Sequence, residues 1–307
     1  MSIVKTVRSS LLSLQHIPNI GCERCLHIKQ VVDLDKYPLF EAESAKYQAL
    51  IRHHKQELAC RGVTTLPGLV TKEALKEAIQ EVEEKMERSY TMQTNHNIYL
   101  SKEDWDNMRE KDHAANRRLD TKVAALACDQ IKENSPLKIL FKSDAFLSFV
   151  QHVLGVPILY RNVDPIGAVF VNIYQALFII FEQMFELFSL KDGYLHNWHF
   201  DESHWSTTLM LQQPEQGGHF QYTKPFRNEE NEEETYEVAE KVLTGDMDHI
   251  NTLEFQPGQS CFYVCKLNFK STSGTLSIFQ GRRSLHSVTK CEGARSRLLG
   301  VLHFSQR

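Results

Sequence analysis

His199 and Asp201, separated only by Phe200, place an imidazole and a carboxylate on the same side of an extended chain, because residues i and i+2 of a strand share a face. A second imidazole, His286, follows much later, and Arg297 lies about ten residues beyond it. Two imidazoles and one carboxylate can hold a redox-active iron(II) on one face and leave three coordination positions open for small molecules. With 14 histidines and 39 acidic residues in 307, composition alone supplies about one or two His-x-acid pairs, so the surroundings must decide. The pair lies in Leu195-His196-Asn197-Trp198-His199-Phe200-Asp201, just before Ser206-Thr207-Thr208-Leu209-Met210-Leu211-Gln212, whose β-branched and apolar residues read as a buried strand. The ligands then sit at a strand mouth. Ser296 to Phe304 reads as another strand, and an arginine buried on it offers a planar fork to a carboxylate.

These residues resemble the 2-oxoglutarate and Fe(II)-dependent oxygenases, which carry His-x-Asp, a distant His, and an Arg or Lys about ten residues after it. Val171-Asn172-Ile173-Tyr174, Trp198-His199-Phe200-Asp201, Gly217-Gly218-His219-Phe220 and Gly281-Arg282-Arg283-Ser284-Leu285-His286 are similar to a branch of small-molecule hydroxylases and amino-acid radical halogenases. The resemblance runs from about Gly62 to Phe304. It implies that His199, Asp201 and His286 are the catalytic metal ligands and that Arg297 grips the far carboxylate of 2-oxoglutarate, with Arg295 as its competitor. Asn172 and Tyr174 are implied cosubstrate or substrate contacts. It further implies Fe(II) as metal, 2-oxoglutarate and O2 as cosubstrates, ascorbate as a candidate reductant, and a small polar metabolite such as a free amino acid as substrate. The halogenating relatives replace the carboxylate ligand with a small residue, so Asp201 points to hydroxylation. A competing reading is a catalytically silent barrel that senses 2-oxoglutarate or another carboxylate.

Plainer readings stand beside these. His204, His219, His249 and His303 read as ordinary hydrogen-bonded histidines, Arg227 as a solvated loop arginine, and the acidic stretch from Glu229 to Glu237 as a solvated loop. Cys22-Glu23-Arg24-Cys25 has no second cysteine pair at zinc-finger spacing.

The elements that must position the ligands form an α+β chain: a double-stranded β-helix (jelly-roll) barrel with supporting α-helices. Residues 1–60 read as an N-terminal arm, partly helical around Glu41 to Ala59. Residues 61–307 form the main domain, with helical support over 61–160 and the barrel over 161–305. Thr71 caps a helix running to about Arg88, with Leu75, Ile79, Val82 and Met86 at helical spacing, and a second helix covers Ser143 to Leu154 before Gly155. Segments 176–191 and 258–273 interrupt the family spacing. They read as retained intronic sequence, or, for the first, as a lid helix with Glu182 and Glu186 on one stripe.

A formal charge of -4 and a pI near 6.4 give no electrostatic case for nucleic acid or a membrane surface. No run of 18 uncharged apolar residues is present. Seven cysteines without a framework fit a reducing compartment. The cytosol is the default, although the first 22 residues, with Lys5, Arg8 and no acid, are faintly similar to a mitochondrial presequence.

Overall fold

The structure, a computed structural model, describes residues 23–175, 193–254, 269–270 and 272–306. All of segment 176–191 and most of segment 258–273 therefore lie outside the described residues. A seven-stranded sheet runs in the spatial order Val63–Leu66, Leu276–Phe279, Ser206–Gln212, Arg297–Leu302, Val169–Tyr174, Leu119–Leu126, Tyr90–His96, antiparallel at every join. A five-stranded sheet orders Phe269–Lys270, Asn251–Glu254, Phe220–Tyr222, His286–Val288, His196–His199. Only its first join is parallel. Along the chain the strands after residue 196 pass between the two sheets, with Phe220–Tyr222, Asn251–Glu254 and Phe269–Lys270 following one another in the small one. A β-bridge between Lys122 and Leu195 ties the start of the strand His196–His199 of the small sheet to the large one.

The large sheet is covered on both faces, and the strand period of two sorts its side chains. Thr208, Met210, Arg297 and Leu299 point inward to the cavity between the sheets, whereas Leu209, Leu211, Leu298 and Leu302 belong to the main core on the helical side. At Gly300 a side chain would crowd the helix Pro136–Lys142, since a Cβ there would lie 2.9 Å from Leu137 Cδ2 and make that leucine shift. The absence of a side chain lets that helix press onto the sheet. Leu209→Ala would open this layer without touching the cavity face; unfolding in denaturant should show a loss of about 2–5 kcal/mol with metal binding retained.

The helices begin and end where their caps dictate. Thr71 accepts a hydrogen bond from Ala74 N at the start of Lys72–Lys85, and Ser143 does the same for Phe146 N at the start of Asp144–Leu154. The buried face of the first centres on Ala74, Ala78 and Val82, with Leu75 and Ile79 at its margin. Ala45–Arg61 and the segment before it contribute Ile28, Tyr37, Tyr47, Ile51 and Leu58 to the same core cluster as the sheets.

One expectation is corrected. The acidic stretch is not a loop throughout, because Glu232–Leu243 is a helix that buries Tyr236, Ala239 and Val242. Its three leading glutamates sit where the helix dipole favours negative charge, and Glu233 and Glu240 pair with Arg109 and Arg117.

Candidate metal centre

His199 ends one strand, His286 opens the next, and the two are direct cross-strand partners. Their Nδ1 atoms lie 2.7 and 2.9 Å from the carbonyl oxygens of Asn197 and Ser284. A carbonyl only accepts, so each Nδ1 carries the proton and each Nε2 presents a lone pair. Those two Nε2 atoms lie 3.5 and 3.4 Å from Asp201 Oδ1. Three donors at that spacing fit around one ion with bonds of about 2.0–2.2 Å. Both histidines are buried, and the Asp201 side chain is 26 % exposed.

Asp201 is held from two sides. Its backbone N–H donates to Gly281 O at 3.0 Å, and the Ser206 hydroxyl donates to Oδ2. A side chain on Gly281 would collide with both Asp201 Oδ2 and Ser206 Oγ, so the close approach of these strands requires glycine. Gly281→Ala should push the carboxylate aside and weaken iron binding by about 10–100-fold, read by metal titration of a protein whose circular dichroism is unchanged. Burial works to raise the Asp201 pKa, but the His286 and His199 imidazoles hold it well below the usual carboxylate range. Burial, then the neighbouring His286, depresses the His199 pKa, so acid competes with a metal there less than it would for a free imidazole.

Phe200 turns the other way. Its ring packs with Ile98, Ala239 and Leu285 in a second cluster and stacks on Tyr99, while its N–H donates to Ile98 O at 2.8 Å. Arg227 lies over Tyr99 and Phe200, at 4.8 and 5.3 Å from their ring centres, and does not line the cavity.

Two histidines that the sequence reading passed over belong to the surroundings. The pairing shifts between His286 opposite His199 and Val288 opposite His196, so the ligand strand carries an extra residue. Residues i and i+3 of a regular strand face opposite ways, but this bulge brings His196 and His199 to one side, stacked at 3.8 Å and 17°. His96 meets both rings edge-on and is fixed by Asn97 O and Thr121 Oγ1. Burial keeps the pKa of each ring low, and the His199 and His286 charges press His196 down further. Isolated histidines in polar strands gave no pattern to mark them.

The ligand atoms open into a cavity of about 480 Å3 between the sheets, which Asn172, Tyr174 and Arg297 also line. Arg297 is 1 % exposed, and its guanidinium lies 4.9 Å from the Tyr174 ring centre. Its Nε and Nη1 find no hydrogen-bond partner among the described residues, and burial lowers its pKa. Tyr174 is pushed up to about 12, chiefly by burial. Arg295 lies outside the cavity and donates to the carbonyls of Gln213 and Pro214 at 2.9 and 3.4 Å. His303, read as an ordinary histidine, lines the cavity, as do Asp164 and Glu202.

No protein-family model matches the chain, and no curated protein matches it in sequence. Among solved structures, it is similar to the non-haem α-ketoglutarate-dependent epimerase SnoN from nogalamycin biosynthesis, with a TM-score of 0.50 at 8 % identity over 84 % of this chain and 83 % of that one. AviO1 from Streptomyces viridochromogenes Tue57 also gives 0.50, at 10 % identity over 83 % of this chain and 94 % of its own. At such identities the likeness is one of fold alone: the chain shares the fold of SnoN and AviO1.

Proposed function

We propose that this protein is an Fe(II)- and 2-oxoglutarate-dependent oxygenase that hydroxylates a small polar metabolite, and that its two sheets form the double-stranded β-helix of that class. The observation that carries the reading is Arg297, a buried cation with two unsatisfied nitrogens in the cavity that also holds the His199–Asp201–His286 group. A buried, unpaired charge costs several kcal/mol by order of magnitude, so the site favours an anion that none of the described residues supplies. A carboxylate matches the guanidinium fork.

The residues fit the implied group. His199, Asp201 and His286 would hold the iron, whose chemistry with bound 2-oxoglutarate couples decarboxylation of the oxoacid to oxidation of a substrate C–H bond. Arg297 would hold the distal carboxylate, with the Tyr174 ring seating the guanidinium and the buried face of Met210 and Leu299 keeping water from it. Asn197 O and Ser284 O fix the ring tautomers, while Ser206 aims the Asp201 carboxylate. Phe279 and Phe220 pack against the His286 ring at 4.9 and 5.7 Å and exclude solvent on that side. Asn162, Asp164, Glu202 and Ser203 supply polar contacts for a substrate.

The test is succinate release and oxygen uptake by purified, iron-loaded protein over amino acids and related metabolites. Substrate-stimulated succinate with a product heavier by one oxygen is the expected result. Binding of 2-oxoglutarate without oxygen uptake across the panel would replace this reading with that of a carboxylate sensor. An isomerised product of unchanged mass would keep the class and overturn hydroxylation.

A further inference from the structure

The described residues contain a second group whose His and carboxylate atoms all lie within 4.8 Å of one another: His53, His54 and Glu57. None of them lines the cavity. They occupy positions i, i+1 and i+4 of the helix Ala45–Arg61, so Glu57 sits one turn on and its carboxylate reaches both rings. Its Oε2 is 3.6 Å from His53 Nε2 and 3.6 Å from His54 Nδ1. This spacing equals that of the cavity group to within a few tenths of an ångström.

The neighbourhood is ordered. The His54 side chain is 4 % exposed and that of Glu57 15 %, whereas the His53 side chain is 62 % exposed and gives access from solvent. Thr64, on the edge strand Val63–Leu66, donates to Glu57 Oε2 at 2.5 Å and lies 2.8 Å from His54 Nδ1. A hydroxyl has one proton to give, so His54 Nδ1–H must donate to Thr64. The resting hydrogen bonds thus run from His54 Nδ1–H to Thr64 and from Thr64 to Glu57 Oε2, which holds both side chains in place. His54 Nε2 is buried with no hydrogen-bond partner among the described residues, and Phe149 meets the ring edge-to-face at 6.5 Å.

We propose that His53, His54 and Glu57 bind a divalent ion of the Zn2+ type on the helix Ala45–Arg61, beside the edge strand Val63–Leu66. Two imidazoles and one carboxylate suit zinc, with water in the fourth position beside the exposed His53. Calcium and magnesium need six or more oxygens, which this group does not offer. As the ion takes His54 Nδ1, the ring proton moves to Nε2, the hydrogen bond from His54 to Thr64 is given up, and Thr64 keeps its own to Glu57.

The site does not depend on the oxygenase reading, and one titration tests the two separately. Chelator-treated full-length protein is titrated with Zn2+ against a chromophoric chelator, in parallel with His53→Ala, Glu57→Gln, His199→Ala and the His53→Ala/His199→Ala double variant. The expected counts are two ions for the parent, one for His53→Ala, one for His199→Ala and none for the double variant. Glu57→Gln keeps the volume and should weaken the second ion at least 10-fold. In thermal melts, Zn2+ should raise the Tm of His199→Ala and leave that of the double variant unmoved. A second ion bound by His53→Ala with parental affinity, or a single parental ion that His199→Ala removes, overturns the proposal. A single ion that His53→Ala removes upholds it and counts against the cavity as a metal site.

Discussion

An Asp201→Ala chain should bind no iron tightly and release no succinate from 2-oxoglutarate under conditions in which the parent does both. Asp201 Oδ1 is the atom on which both Nε2 lone pairs converge, at 3.5 and 3.4 Å. Its removal leaves two neutral nitrogens and no anionic ligand for a divalent ion. Substrate-independent turnover of 2-oxoglutarate is the measurement, because it needs the iron and no knowledge of the substrate. Ser206→Ala retains all three ligands and loses only the hydroxyl that aims the carboxylate, so it should fall between, at about a 10–100-fold loss of affinity or activity. Parental succinate release by Asp201→Ala would remove this residue from the ligand set.

Arg297→Met should separate binding from stability with opposite signs. The guanidinium is 1 % exposed with two nitrogens unsatisfied among the described residues, so the ligand-free protein bears the cost of an unpaired charge. Methionine of similar length removes that cost, and the ligand-free variant should melt at or above the parent's temperature. For 2-oxoglutarate the same change removes charge-assisted hydrogen bonds of about 1.5–3 kcal/mol each. The expected result is at least a 100-fold weaker Kd by anaerobic titration of the iron–2-oxoglutarate absorbance. Arg295→Met, with its guanidinium on loop carbonyls, should leave that Kd unchanged. If Arg295→Met weakened binding and Arg297→Met did not, the anchor would have to be reassigned.

The contrast between these two arginines shows what a sequence can carry. Period-two alternation places positions 295 and 297 on one face, but the strand begins at Arg297, and only burial against Tyr174 distinguishes the two. Ser206–Gln212, Lys72–Lys85 and Asp144–Leu154 were legible because their signals are local: apolar runs with β-branched residues, and caps at Thr71, Ser143 and Gly155. The hairpin of Tyr90–His96 and Leu119–Leu126 was not, since five of the first strand's seven residues are exposed and show no apolar alternation. Glu232–Leu243 was hidden by its leading glutamates, which as a run read as solvated chain. Pro136–Lys142 carries a Ser-Pro start at 135 and 136, a local helix signal of its own. For the centre, the residue types and spacing of His199, Asp201 and His286 sufficed to nominate them. His96 and His196 depend on a long-range strand pair and a bulge, which leave no local mark.

The direct pairing of His199 with His286 has a consequence for assembly. Sliding one strand past the other by a single residue turns its side chains to the opposite side of the sheet, which would carry one imidazole away from Asp201. On the proposed function, metal uptake would then act as a checkpoint on folding: a molecule with misaligned strands would forfeit its ion, and the metal content of a preparation would report the fraction whose strands have met in the native alignment.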